Sequence, residues 1–185
     1  LLNKLVSDIA ISASGDYYVA TNGGGIFKLT GGAGTWANIS GDLDDMNALT
    51  IAYDDDNSRI FIGTGFTQGS VYISDNEGQN WERANLSGNK DIHDIYIASD
   101  GNIYAATQHF GVYASDDNGD SWETVGFISN DNGHAFTEDD QNRLYLGTDQ
   151  GIYRLESGAW IKVSPHNGPP ASIRCMHNYQ NILFA

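Results

Sequence analysis

Ser115-Asp116-Asp117-Asn118-Gly119-Asp120-Ser121-Trp122 decides the fold, because the chain also carries the same frame earlier, as Ser74-Asp75-Asn76-Glu77-Gly78-Gln79-Asn80-Trp81. The shared pattern is Ser, any residue, Asp or Asn, any, Gly, any, a small polar residue, Trp. Each residue type has a mechanical reason. An Asp or Asn side chain accepts hydrogen bonds from the backbone N–H groups of a turn, and Gly supplies a positive φ. Ser and the small polar residue bond the turn from its two ends. Trp then opens the next strand and carries a large apolar surface inward. The octapeptide therefore predicts a hairpin turn in which Ser74, Asn76, Gly78, Trp81, Ser115, Asp117, Gly119 and Trp122 are structural.

A longer unit repeats around this turn. Gly15-Asp16-Tyr17-Tyr18-Val19-Ala20-Thr21 is followed by Gly25-Ile26-Phe27-Lys28, and Ser58-Arg59-Ile60-Phe61-Ile62-Gly63-Thr64 by Gly69-Ser70-Val71-Tyr72. Gly101-Asn102-Ile103-Tyr104-Ala105-Ala106-Thr107 is followed by Gly111-Val112-Tyr113, and Asn142-Arg143-Leu144-Tyr145-Leu146-Gly147-Thr148 by Gly151-Ile152-Tyr153. The tryptophans stand at 36, 81, 122 and 160, so the copies are 45, 41 and 38 residues apart. A period near 40 suits a four-stranded propeller blade.

Each copy reads as four short strands, a to d. Strand a is apolar, at 7–12, 48–53, 93–98 and 134–138. Strand b is the aromatic run ending in a small residue and Thr, strand c is Gly-Ile/Val-Phe/Tyr, and Trp opens strand d. The small residues Ala20, Gly63, Ala106 and Gly147 let neighbouring sheets approach closely. The turns of the first and last copies, 30–36 and 155–160, keep Gly and Trp but lose the acid, so they predict tighter hairpins without Asp-centred bonds. A fifth copy supplies a strand a at 172–177 and a strand b at 181–185. The blades span 5–40, 45–87, 92–127, 132–165 and, in part, 171–185, as a single propeller segment. The fold class is all-β: about four and a half blades of four antiparallel strands, expected to belong to a ring of six to eight blades in a longer protein. Self-association at open blade edges is the expectation for the segment alone.

The frame at 74–81 and 115–122 closely resembles the Asp-box, or BNR repeat, of β-propellers such as sialidases, sortilin-type receptors, xyloglucanases and photosystem II assembly factors. That resemblance implies that the boxes sit on an outer rim, while b–c and d–a loops gather on the opposite face around a central channel. The binding face then draws on b–c loops 22–24, 65–68, 108–110 and 149–150, and on d–a loops 42–45, 90–91, 130–133 and 166–167. The candidate binding residues are Phe66, Gln108, His109, Phe110, Asp149 and Gln150. An aromatic side chain in a polar loop stacks on a sugar or a partner side chain, or packs against the next blade's loop.

Catalytic and metal chemistry find little purchase. Sialidases resembling this fold use three Arg residues, but Arg59 and Arg143 fall on a–b turns of the wrong face. Xyloglucanases resembling it use two channel carboxylates, which Asp44, Asp45, Asp91, Asp131 or Asp149 would have to provide. No catalytic residue is assigned. His93 and His134, near the starts of strands a, read as structural or solvated, since no His-x-His or His-x-x-x-His spacing occurs. No cofactor is implied beyond Ca²⁺ at the Asp54-Asp55-Asp56 turn, where a solvated turn is the plainer reading.

Nine basic residues against 24 acidic ones leave a formal charge of −15, which argues against nucleic acid and anionic membranes as partners. No apolar run approaches the ~20 residues that span a bilayer. The lone Cys175 allows no internal disulfide. Three functions stay open: a non-catalytic scaffold recognising protein or glycan, part of a glycoside hydrolase, or the sensor propeller of a membrane receptor. The expected setting is extracellular or periplasmic.

Overall fold

A computed structural model describes residues 5–32, 34–66, 69–86, 88–126, 131–163, 172–179 and 182–185. Its strands form four four-stranded antiparallel sheets and one two-stranded hairpin. Blade 1 is β1 (Leu5–Ile11), β2 (Tyr17–Asn22), β3 (Gly25–Leu29) and β4 (Ala37–Asn38). Blade 2 is β5 (Ala48–Asp54), β6 (Arg59–Thr64), β7 (Val71–Ser74) and β8 (Glu82–Arg83). Blade 3 is β9 (Ile92–Ile97), β10 (Ile103–Thr107), β11 (Val112–Ser115) and β12 (Glu123–Thr124). Blade 4 is β13 (Gly133–Glu138), β14 (Leu144–Thr148), β15 (Gly151–Glu156) and β16 (Ala159–Lys162), and β17 (His177–Tyr179) pairs with β18 (Ile182–Phe184). The strands run a-b-c-d within each blade, as the repeat predicts. Two compact units divide the chain, Leu1–Ile95 and Tyr96–Ala185.

The boxes fold as their residue types require. Ser115 Oγ donates to Asp117 Oδ1 at 2.8 Å and accepts the Gly119 amide at 2.8 Å. Asp117 Oδ1 takes the Ser121 amide at 2.8 Å, and Oδ2 takes the Ser121 hydroxyl at 2.6 Å. The Ser121 hydroxyl and amide, then the Ser115 hydroxyl, hold the Asp117 carboxyl down at about 2, against burial. Ser74, Asn76, Gly78 and Asn80 repeat the scheme. Gly78 and Gly119 have φ of 81° and 93°, and the residues before them, Glu77 and Asn118, are also left-handed at 57° and 59°. The indoles are buried, and Trp81 Nε1 reaches back to Ile39 O of the preceding blade at 3.1 Å. Strands d are short, starting one residue past Trp36, Trp81 and Trp122 and one residue before Trp160.

Three expectations need correction. The blade 1 turn does use an Asp-centred bond, because Asp16 of the a–b turn accepts the Gly31 amide at 2.7 Å. The blade 4 hairpin is tight, as its sequence predicts: Glu156 pairs with Ala159 across Ser157 and Gly158, both left-handed, with φ of 49° and 80°. Residues 172–176 are not a strand, because Ile173 donates its amide to Thr148 O at 2.8 Å and Ser172 turns its hydroxyl to Asp149. In the first unit Asp42 lies at the box end, not on the loop face: β4 is only two residues long, and Asp42 Oδ1 accepts the Trp81 amide at 2.8 Å.

The core lies between blades. In the first unit Tyr18, Ala20 and Ile26 meet Ala48, Ile51, Ile60 and Ile62, with Trp81 and Leu43 at the margin. Tyr18 stacks on Tyr53 with ring centres 4.8 Å apart. In the second unit Tyr104, Ala106 and Val112 pack with Phe136, Leu144, Leu146 and Trp160. The small residue before each b-strand Thr permits this approach. A Cβ on Gly63 would lie 2.6 Å from Ile92 Cγ2, and one on Gly147 would lie 2.6 Å from Ile173 Cγ2.

Candidate functional site

Strand a carries a register shift at the same place in blades 1, 2 and 4: between Val6 and Asp8, Ala48 and Thr50, and Gly133 and Ala135. A bulge of this kind re-aims one side chain out of the pleat. In blade 4 that residue is His134, and its Nε2 lies 2.8 Å from Asp149 Oδ1 in the b–c turn.

The b–c turns share a second device. Gly23 in blade 1, Phe66 in blade 2 and His109 in blade 3 all adopt the left-handed conformation, with φ of 74°, 72° and 64°. The Phe66 amide is captured by Asp91 Oδ1 at 3.0 Å, and the His109 amide by Asn132 Oδ1 at 3.0 Å. Asp91 and Asn132 each stand just before or at the start of the following strand a. Glycine is the low-cost residue in that conformation, whereas a side chain with a Cβ costs ~1–2 kcal/mol. Blades 2 and 3 nevertheless place Phe and His there, and the Phe66 side chain is left 65% exposed. Phe110, the residue after His109, is 50% exposed, Gln108 is half-buried and Gln150 is exposed.

In the second unit these residues converge on Asn132. Its Oδ1 holds the His109 turn, and its Nδ2 donates to Asp149 Oδ2 at 2.7 Å. Asp149 Oδ1 accepts the Ser172 hydroxyl at 2.8 Å besides its bond with His134. Burial works to raise the Asp149 carboxyl, but His134, Ser172 and Asn132 outweigh it and hold it well below the usual carboxylate range. Asp149 is therefore ionised at neutral pH and His134 Nε2 is the donor. Arg174 approaches the same carboxylate at 3.5 Å.

The predicted residues divide accordingly. Gln108, His109, Phe110, Asp149 and Gln150 all lie on the blade 3 and blade 4 turns of the second unit, and Phe66 occupies the equivalent turn in the first. Residues 67–68, 130 and 166–167, expected on the same face, lie outside the described residues. Three other carboxylates accept turn amides. Asp45 Oδ1 accepts the Asn47 amide and side-chain amide, both at 2.9 Å, and Asp131 Oδ1 accepts the Asn132 amide at 2.9 Å. Asp54 closes its own turn onto the amides of Asp56 and Asn57. Among the described residues, no three His, Cys, Asp or Glu converge as a metal site. Sequence reasoning placed Asn132 in a d–a loop of the binding face without giving it a role, and read Ser172 and Arg174 as strand. The recurrence of Asn47, Asp91 and Asn132 immediately before or at strand a was the available signal.

No protein-family model matches the sequence, and no curated protein is detectably similar to it. Several solved structures are similar. An ancestral GH74 enzyme aligns over 88% of this chain and 24% of its own, at 24% identity and a TM-score of 0.75. The extracellular domain of a one-component system from B. thetaiotaomicron aligns over 97% of this chain and 25% of its own, at 12% identity and a TM-score of 0.79. YCF48 bound to D1 peptide aligns over 88% of this chain and 54% of its own, at 14% identity and a TM-score of 0.62. This chain spans about a quarter of the length of the first two and about half of the third. At such identities the likeness is one of fold, and with four antiparallel four-stranded sheets in sequence order the chain has the β-propeller fold.

Proposed function

We propose that this chain is a non-catalytic recognition scaffold that holds aromatic side chains on its b–c turns for a protein partner, in an extracellular or periplasmic setting. One observation carries the reading. Phe66 and His109 occupy a left-handed position that glycine fills in blade 1, and each has its amide captured by a side chain from the residue just ahead of the next blade's strand a. Backbone strain retained at an exposed loop tip serves presentation of the side chain, not packing. The peptide carried by the YCF48 structure supports a protein over a glycan as partner. The setting draws on the extracellular domain among the similar structures; cell fractionation with an antibody checks it, and a purely cytoplasmic pool would refute it.

A hydrolase of the GH74 kind shares the fold but needs two carboxylates available for acid–base work. Asp45, Asp91 and Asp149 each accept hydrogen bonds that build the turns, which favours the scaffold reading. The discriminating variants are Phe66→Gly and His109→Gly. Each relieves a left-handed side chain, so thermal stability is expected to hold or rise, while binding on a peptide array falls. Undiminished array binding by the double variant, or hydrolysis of xyloglucan by the parent protein, would refute the proposal.

A further inference from the structure

Arg174 differs from the other well-placed cations. Arg143 is bonded to Asp139, Arg154 to Glu156, and Lys28 to both Asp16 and Glu77. Among the described residues Arg174 pairs with one carboxylate, Asp149, at 3.5 Å, and Asp149 already accepts from His134, Ser172 and Asn132 at 2.7–2.8 Å. The guanidinium is oriented even so. Its Nε donates to Ser172 Oγ at 3.0 Å, and Ser172 donates to Asp149. Among the described residues, Nε–H is the one of its five N–H donors with a hydrogen bond near 3.0 Å, and the side chain is 70% exposed. The Nη groups of this largely exposed side chain form a fork suited to a planar carboxylate.

We propose that Arg174 is a carboxylate-recognition residue, taking a glutamate or aspartate side chain of the protein segment that the b–c turns bind. The inference rests on the recognition-scaffold reading and names one chemical feature of its partner. Asn132 is the link between the two, since it bonds the His109 turn with one side-chain atom and Asp149 with the other. The formal charge of −15 acts against a uniformly acidic ligand at long range, but exposed charges more than ~8–10 Å apart are screened at physiological salt. A single positioned guanidinium therefore selects a carboxylate at one register of the bound segment and rejects a polyanion.

The test uses arginine Nε–Hε and backbone amide NMR on the whole chain. The probes are capped peptides of alternating tyrosine and glutamate, tyrosine and glutamine, and tyrosine and lysine, with Arg174→Lys to assign the signal. The glutamate peptide is expected to shift Arg174 Nε–Hε together with the His109 and Phe110 amides. Its affinity should exceed that of the glutamine peptide by at least about tenfold, a preference that Arg174→Gln abolishes. Shifts at His109 and Phe110 without one at Arg174, or equal affinity for glutamate and glutamine, overturn the carboxylate assignment and leave the turn reading standing. A preference for lysine overturns it as well. No shift at either place with millimolar peptide overturns both.

Discussion

Replacing Gly63 with alanine adds one methyl group where the next blade leaves no room. The new Cβ would stand 2.6 Å from Ile92 Cγ2, 2.6 Å from Thr50 Cγ2 and 2.7 Å from Ile92 Cβ. Carbon atoms pack at ~3.5–4.0 Å, so about 1 Å of movement is required among side chains that are buried on all sides. Overpacking of this kind costs ~1–3 kcal/mol. The remedy is already present elsewhere in the repeat. Ala20 in blade 1 faces a strand that begins with Ala48, whereas the glycine at 147 faces Ile173. Ile92→Ala alone should cost ~2–5 kcal/mol by opening a cavity. In the double variant the methyl group partly fills that cavity, so the two costs should fall short of their sum by ~1–2 kcal/mol. Thr50 still crowds position 63, so recovery is incomplete. Urea unfolding of the parent, both single variants and the double variant closes the cycle. Additive costs would show that Gly63 and Ile92 do not compete for one space and would refute this account of blade spacing.

Trp122→Ala should cost ~3–5 kcal/mol by emptying a buried indole site, with denaturant titration as the measure and a cost below ~1 kcal/mol counting against the box as a packing element. Asn132→Ala should release both the His109 turn and Asp149, costing ~1–3 kcal/mol and quickening amide exchange at His109. Asp139 gives a pH dependence. Burial raises its carboxyl, but bonds from Arg143, Gln141 and Tyr145 bring it down to about 2. Its stabilising contribution is therefore fully present above an unfolded value near ~4 and is lost as pH falls through about 2. Asp139→Asn should flatten the melting temperature between those limits, and a slope unchanged from the parent's would place the acid sensitivity elsewhere.

The fold was readable because its signature is local. Every bond that Ser74, Asn76, Ser115 and Asp117 make within the box spans four residues or fewer, so composition and spacing suffice to find it. The small residues before Thr were readable as small, but their partners were not. Gly63 meets Ile92 and Gly147 meets Ile173 only once neighbouring blades have stacked. The site was half legible. Exposed aromatics in polar loops drew attention to Phe66, His109 and Phe110, while the captures by Asp91 and Asn132 depend on where strand a begins. Ser172 and Arg174 were read as strand because 172–177 stands where strand a of a fifth copy is expected. Their side chains instead answer a carboxylate on another blade, which no pattern within 172–177 encodes. The bulge that places His134 is likewise a property of the a–b register, not of the residue itself.

The short span of the box bonds also bears on the order in which the chain folds. A hairpin closed by bonds across four residues forms in ~1–10 μs, ahead of any contact that must bring distant segments together. Blades 2 and 3 therefore own c–d hairpins that form early. Blade 1 must recruit Asp16 from 15 residues away, and the Trp81 indole must find Ile39 O 42 residues away. Ser115→Ala should accordingly slow folding and leave unfolding nearly untouched, whereas Gly63→Ala should mainly hasten unfolding. If chevron plots assign both changes to the same arm, the boxes are fastened late and do not seed the blades.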